Sequence, residues 1–225
     1  MIVNERVVAY INSLDMGNSH VYGEFTDKQR GEVLDLIEKE ARETGVPIIR
    51  EEMKNFLRVL LRIAAPKSIL EIGTAVGFSS VLMADSTPLD VKITTIENYD
   101  VRIPIARENF RRAGVSNRIT LLEGDAAEVL KGLEGPYDFV FLDAAKGQYM
   151  QYLKEIKRML PAGGILLTDN VMQEGSIIES RFAVERRDRT IHERMREFNY
   201  ELTHSEEFQT SLIPIGDGIA LSVKL

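Results

Sequence analysis

The spacing of apolar residues changes character near Pro66. Upstream of it, Val33, Leu34, Ile37 and Ala41 recur at helical intervals, which predicts a helix over 29–42 with Thr26 or Asp27 as its cap. The stretch Val46-Pro47-Ile48-Ile49 interrupts that pattern. Met53, Phe56, Leu57, Leu60, Leu61 and Ala64 then mark one face of a second helix that stops before the proline, with Met53 and Phe56 assigned to the core. Downstream the pattern becomes short apolar runs: 68–73 (SILEIG), 92–97 (KITTIE), 119–124 (ITLLEG), 139–144 (FVFLDA) and 164–170 (GILLTDN). These read as five buried strands, separated by helices near 79–85, 101–113, 125–133 and 149–160. Such alternation implies right-handed crossovers and a parallel, doubly wound sheet. The runs 208–215 and 218–224 flank Gly216-Asp217-Gly218, a hairpin signal, so an antiparallel pair is expected to close one edge. The fold class is α/β: a mainly parallel, seven-stranded sheet with N-terminal helices, residues 1–225 forming one domain.

Composition narrows the chemistry. With 225 residues the chain can bury a core without covalent staples. It has no cysteine, which removes disulfides, thiolate–zinc sites and a cysteine nucleophile. No apolar run approaches the ~20 residues that span a bilayer. Asn4, Glu5 and Arg6 break what would be the apolar region of a signal peptide, so a cytoplasmic protein is expected. Lys and Arg number 28 against 35 Asp and Glu, a formal charge of −7 that argues against a generally basic nucleic-acid binder. A soluble enzyme is the simpler expectation. His20, His192 and His204 show no ligand spacing and are expected at the surface or in caps.

Open α/β sheets bind ligands beyond the carboxyl ends of their strands. Here those ends carry acids. The first strand runs into Glu71-Ile72-Gly73-Thr74-Ala75-Val76-Gly77; the others end in Glu97, Gly124-Asp125-Ala126, Asp143 and Asp169-Asn170. Taken alone, Asp125 is as readily a helix cap as a ligand contact. A dinucleotide loop requires glycine at the middle position so that pyrophosphate can approach the helix, but Ala75 stands there. Glu71 beside a pyrophosphate would repel it; beside an ammonium it is favourable. With Glu97 placed to accept ribose hydroxyls and Asp125-Ala126 placed at an adenine edge, the implied ligand is S-adenosylmethionine. A nicotinamide cofactor is disfavoured by Ala75 and Glu71.

The segments EIGTAVGFSS, TTIE, GDAAEVL, FVFLDAAKGQY, LLTDNV and LIPIGDGIALSV resemble the class I, metal-dependent O-methyltransferases of the catechol and caffeoyl-CoA type. The resemblance runs from about Val46 onward, and its most specific part is D-A-A-K combined with T-D-N. It implies a Rossmann-like fold and S-adenosylmethionine contacts at Ile49, Glu71, Gly73, Ser79, Glu97, Asp125, Ala126 and Asp143. It also implies a homodimer through the N-terminal helices. Asp143, Asp169 and Asn170 offer oxygen alone, which suits a hard divalent cation, Mg²⁺ or Mn²⁺. Lys146 follows closely as base or as electrostatic partner of a substrate oxyanion. Such a cation would hold a vicinal oxygen pair with one oxygen aligned on the sulfonium methyl.

One segment runs against the acidic balance. RFAVERRDRTIHERMR, residues 181–196, carries arginines at 181, 186, 187, 189, 194 and 196. A solvated helix face with pairs such as Glu185–Arg189 is one explanation. A local phosphate-binding stripe with Arg186, Arg187 and Arg189 at the active-site mouth is the other. The stretches VPII, DNV, RRDRTIH and GDGIALS are most similar, within the group, to bacterial tRNA 5-hydroxyuridine methyltransferases. That similarity implies the tRNA anticodon loop as partner, with 5-hydroxyuridine at the wobble position converted to 5-methoxyuridine. Its 5-hydroxyl beside a 4-carbonyl is a bidentate oxygen pair like catechol's. A small-molecule catechol or caffeoyl-CoA-type enzyme is the alternative substrate class, and a non-catalytic S-adenosylmethionine module the alternative to an enzyme.

Overall fold

Strands with apolar residues on both faces require cover on both sides, and helices supply it. The computed structural model describes residues 5–15 and 28–225, so Thr26, Asp27 and His20 lie outside the described residues. Helices α1 (Glu5–Asp15), α2 (Lys28–Glu43) and α3 (Glu51–Ala64) precede the first strand. Then follow β1 (Ser68–Ile72), α4 (Phe78–Asp85), β2 (Lys92–Glu97), α5 (Arg102–Arg112), β3 (Ile119–Glu123), α6 (Ala126–Gly132), β4 (Phe139–Leu142), α7 (Tyr149–Met159) and β5 (Ile165–Thr168). Helix α8 (Arg189–His204) and the strands β6 (Phe208–Ile213) and β7 (Ile219–Lys224) complete the order.

The sheet has seven strands in the order β3-β2-β1-β4-β5-β7-β6. β1 to β5 pair in parallel, whereas β7 runs antiparallel to both β5 and β6. The chain order reverses between β1 and β4, which opens a crevice at their carboxyl ends. Residue alternation sorts the core into two layers. Ile69, Ile93, Phe139 and Phe141 pack with Leu34, Ile37, Met53 and Leu57 on the side of α2 to α4. Leu70, Ile72, Val140 and Leu142 pack with Tyr149, Met195, Phe198 and Leu202 on the other. Truncating Phe198, fully buried there, would cost ~3–5 kcal/mol. Met53 is buried and Phe56 packs partly buried against the same core, as the spacing predicts.

Three sequence expectations change. β3, β4 and β5 stop before Asp125, Asp143 and Asp169, which begin the loops that follow, whereas Glu71 and Glu97 lie within β1 and β2. The arginine segment is not one helix: residues 181–188 form turns and α8 begins at Arg189. His192 is not a surface residue. It is 2% exposed, on the face of α8 that also buries Met195, Phe198 and Leu202, and its Nε2 lies 3.2 Å from the Ser176 carbonyl oxygen. That three-to-four-residue spacing was readable in the sequence. His204 is exposed, stacked on Tyr200 at 3.9 Å.

Candidate active site

Strand register assembles the site. Ile72 pairs with Leu142, and Leu142 with Thr168, so the residues that follow leave the sheet side by side. The Asp143 N–H donates to Ile72 O and the Asp169 N–H to Leu142 O, each at 3.0 Å. Next to them the loop from β1 to α4 folds tightly. The N–H groups of Gly73 and Thr74 both donate to Ile96 O at 3.1 Å. A Cβ on Gly73 would stand 2.0 Å from the Asp143 carbonyl oxygen, so the loop and the end of β4 fit together only through glycine.

A cavity of about 660 Å³ opens at this rim. Ile49, Gly73, Ser79, Glu97, Asp125, Ala126, Asp143, Lys146, Asp169 and Asn170 all line it. Each expected cofactor or metal residue except Glu71 therefore lines one space. Glu97 takes the Ala75 N–H on Oε2 at 2.7 Å and the Asn98 and Tyr99 N–H groups on Oε1 at 3.0 and 2.9 Å. Those bonds fix its carboxylate against the loop. Asp125 is the helix cap that its position suggested, accepting the Ala127 N–H at 2.8 Å, and it lines the cavity as well.

Glu71 sits one layer behind. It is fully buried, and its carboxylate accepts hydrogen bonds from Ser79 Oγ at 2.5 Å, Thr95 Oγ1 at 2.6 Å and Ser80 Oγ. Burial pushes its carboxyl up to about 7 despite the three hydroxyls, and the nearby Glu97 adds to the rise. It reaches the cavity wall directly through Ser79, and through Thr95 to Thr74, whose hydroxyls stand 2.6 Å apart.

At the ends of β4 and β5 acids crowd together. Burial raises the carboxyls of both Asp143 and Asp169. Glu71 adds to the rise at Asp143, and Asp143 and Asp217 add to it at Asp169, while Lys146 opposes both rises. Asn170, at φ 57°, donates its N–H to Asp169 Oδ1 at 2.7 Å and lines the same cavity. Among the described residues no three Asp, Glu or His side chains form a metal site unaided. The third oxygen donor here is an amide. A half-buried and a buried carboxylate with an amide, with excess negative charge, fit a hard divalent cation.

Sequence reasoning missed Asp217, read only as a turn residue. It lines this cavity at 6% exposure, with Oδ2 3.6 Å from Lys146 Nζ. The arginines stand elsewhere. Arg186 and Arg187 are exposed and outside the cavity lining, and Arg187 pairs with Glu185 and Asp188. Arg189 does not pair with Glu185; it donates to Val184 O at 3.1 Å and lies 6.0 Å from the Phe182 ring centre. Arg194 alone touches the site's frame, donating to Gly147 O at 2.8 Å next to Lys146.

A doubly wound sheet gathers these acids at the strand switch, where such folds bind ligands, and the fold alone does not name the activity. The model of the family described as O-methyltransferase matches residues 27–225. The chain is 34% identical over 177 residues to caffeoyl-CoA O-methyltransferase 5 of Nicotiana tabacum, covering 74% of this chain and 72% of the relative. A putative caffeoyl-CoA O-methyltransferase from Staphylococcus aureus superposes with a TM-score of 0.85 at 27% identity, covering 96% of this chain and 98% of its own. An S-adenosylhomocysteine-bound methyltransferase of Podospora anserina gives 0.81 at 27% identity, covering 99% and 97%. The chain belongs to the O-methyltransferase family, among the S-adenosylmethionine-dependent enzymes of caffeoyl-CoA and catechol type.

Proposed function

We propose that this chain transfers a methyl group from S-adenosylmethionine to one oxygen of a vicinal oxygen pair, with Asp143, Asp169 and Asn170 holding a divalent cation. What carries the reading is the half-buried Asp143 and the buried Asp169, set against Lys146 in the same cavity as Glu97. S-adenosylmethionine, when bound, supplies the electrophilic methyl, and the cation, when bound, supplies Lewis acidity that favours ionisation of a substrate hydroxyl. Glu97 accepts the ribose hydroxyls, its carboxylate already oriented by three backbone N–H groups. Ile49, Gly73, Ser79, Asp125, Ala126 and Asp143 shape the cofactor half, and Glu71 acts by orienting Ser79. Lys146 Nζ receives the hydroxyl proton or holds the charge of the oxygen anion that attacks. A small vicinal diol of the catechol class is the substrate this geometry supports best. Turnover of 3,4-dihydroxybenzoate with S-adenosylmethionine, with and without Mg²⁺ and chelator, tests it; turnover that ignores the cation excludes the metal role.

A second reading, 5-hydroxyuridine at the tRNA wobble position, is favoured by Arg194. Its bond to Gly147 O seats the arginine-bearing helix against the Lys146 segment, with Arg186, Arg187 and Arg189 just upstream. A splayed anticodon base is a target that a pocket can read. Nucleoside mass spectrometry of tRNA from a deletion strain decides: accumulated 5-hydroxyuridine supports RNA, and unchanged 5-methoxyuridine opposes it. A second copy is the partner proposed for the exposed apolar side chains of α1 and α3, among them Tyr10, Ile11, Val59 and Ile63. Light scattering reports that mass directly.

A further inference from the structure

The acid left unused above is Asp217. Its turn is built for rigidity. Gly216 and Gly218 flank it at φ 57° and 79°, and a Cβ on Gly218 would stand 2.2 Å from Met172 Cγ. Two backbone bonds clamp the turn to the chain just after Asn170: the Val171 N–H donates to Gly218 O at 2.9 Å, and the Met172 N–H to Asp217 O at 3.0 Å. A hairpin tip needs only a polar, solvated residue. This one buries a carboxylate close enough to Asp169 to raise that group's carboxyl, an unfavourable placement unless a cation meets it. Lys146 meets it as one such cation, with Nζ 3.6 Å from Asp217 Oδ2.

We propose that Asp217 is a positioning residue that tethers the Lys146 ammonium at one edge of the Asp143–Asp169 pair. The inference rests on reading this cavity as an O-methyl-transfer site. A lysine ammonium rides on a flexible four-carbon stem with three rotatable donors, and the side chain here is 29% exposed. Untethered, it would reach either oxygen of a vicinal pair. Held by Asp217, whose turn is locked to the segment after β5, it meets one oxygen and not the other. Asp217 thereby sets which oxygen is methylated.

Lysine acetylation by trace acetic anhydride, followed by mass spectrometry on the cofactor-free protein, tests the tether without any substrate. Asp217→Asn should raise the Lys146 labelling rate roughly fivefold relative to exposed Lys131, the effect of releasing one partly buried ion pair. Asp217→Glu should restore protection. Unchanged Lys146 labelling in Asp217→Asn overturns the proposal. Should that variant not fold, Asp217→Ser is labelled and read in the same way. With 3,4-dihydroxybenzoate as acceptor, Asp217→Asn should lower kcat about tenfold, leave KM for S-adenosylmethionine unchanged and mix the two methyl-ether isomers. An unaltered isomer ratio overturns the regiochemical role. If wild type methylates no vicinal diol, the O-methyl-transfer reading fails, and the labelling result still decides whether Asp217 tethers Lys146.

Discussion

Asp143 and Asp169 leave adjacent parallel strands at the same level, and Asp143 contributes to holding the Asp169 carboxyl above its ordinary range. The relation is fixed by register: Leu142 pairs with Thr168, and each aspartate is the next residue along. Two acids kept this close in a buried wall favour a proton or a cation between them.

Asp169→Asn should therefore abolish the Mg²⁺ response. Turnover is expected to fall at least about a hundredfold, while S-adenosylmethionine affinity by calorimetry changes little. Mg²⁺ stimulation that persists in this variant removes Asp169 from the cation site.

Lys146→Met keeps the stem and deletes the ammonium. A fall in kcat of ~10²–10⁴ is expected with cofactor binding intact. A variant with wild-type kcat would make Lys146 an ordinary rim lysine.

Gly73→Ala asks whether the loop tolerates a methyl group. The new Cβ would meet the Asp143 carbonyl at 2.0 Å on a backbone at φ 104°, so either the loop or the end of β4 must move. A stability loss of roughly 3 kcal/mol or more, seen as a Tm lower by about 10 °C, is expected together with lost cofactor binding. Wild-type melting would contradict this packing.

Glu71 makes stability depend on pH. Its carboxyl ionises near 4.5 ordinarily and near 7 in the fold, so the folded protein holds that proton more tightly. The contribution is fully present below pH 4.5 and is lost as pH rises through about 7. Its size is ~3 kcal/mol by linkage. Glu71→Gln should flatten that decline, so its Tm relative to wild type is higher at pH 8 than at pH 5. Parallel Tm profiles for the two proteins would show that Glu71 does not titrate in this range.

Arg186 and Arg187 changed together to Glu separate the two substrate classes. Loss of tRNA methylation with unchanged cofactor binding is the outcome for an RNA enzyme, whose affinity should also fall steeply with salt. Survival of tRNA methylation removes these arginines from any such role.

The strands and their acidic ends were legible because apolar runs report burial directly, and five such runs in series leave little topological choice. The direction of individual side chains was less legible. Glu71 alternates with Leu70 and Ile72, so it faces the layer under α4, where Ser79 and Ser80 meet it. That alternation was present in the sequence, but a strand-end acid drew the reading toward ligand. Asp217 was hidden for a different reason. Its neighbours are turn glycines, and nothing local tells that the turn reaches Lys146, far away in the chain. In the arginine segment the expected Glu185–Arg189 pair is replaced by Glu185–Arg187, because the chain there turns rather than coils into a helix.

The order β5-β7-β6 has a consequence for assembly. β6 emerges first yet has no edge to join until β7 fills the place between it and β5. A growing chain can thus complete the crevice at β1 and β4, and gather Asp143, Lys146 and Asp169, well before the hairpin docks. Until then it has a nucleoside pocket with one wall missing. Ligand capacity and turnover should consequently appear at different moments of synthesis, the second gated by the insertion of a single strand.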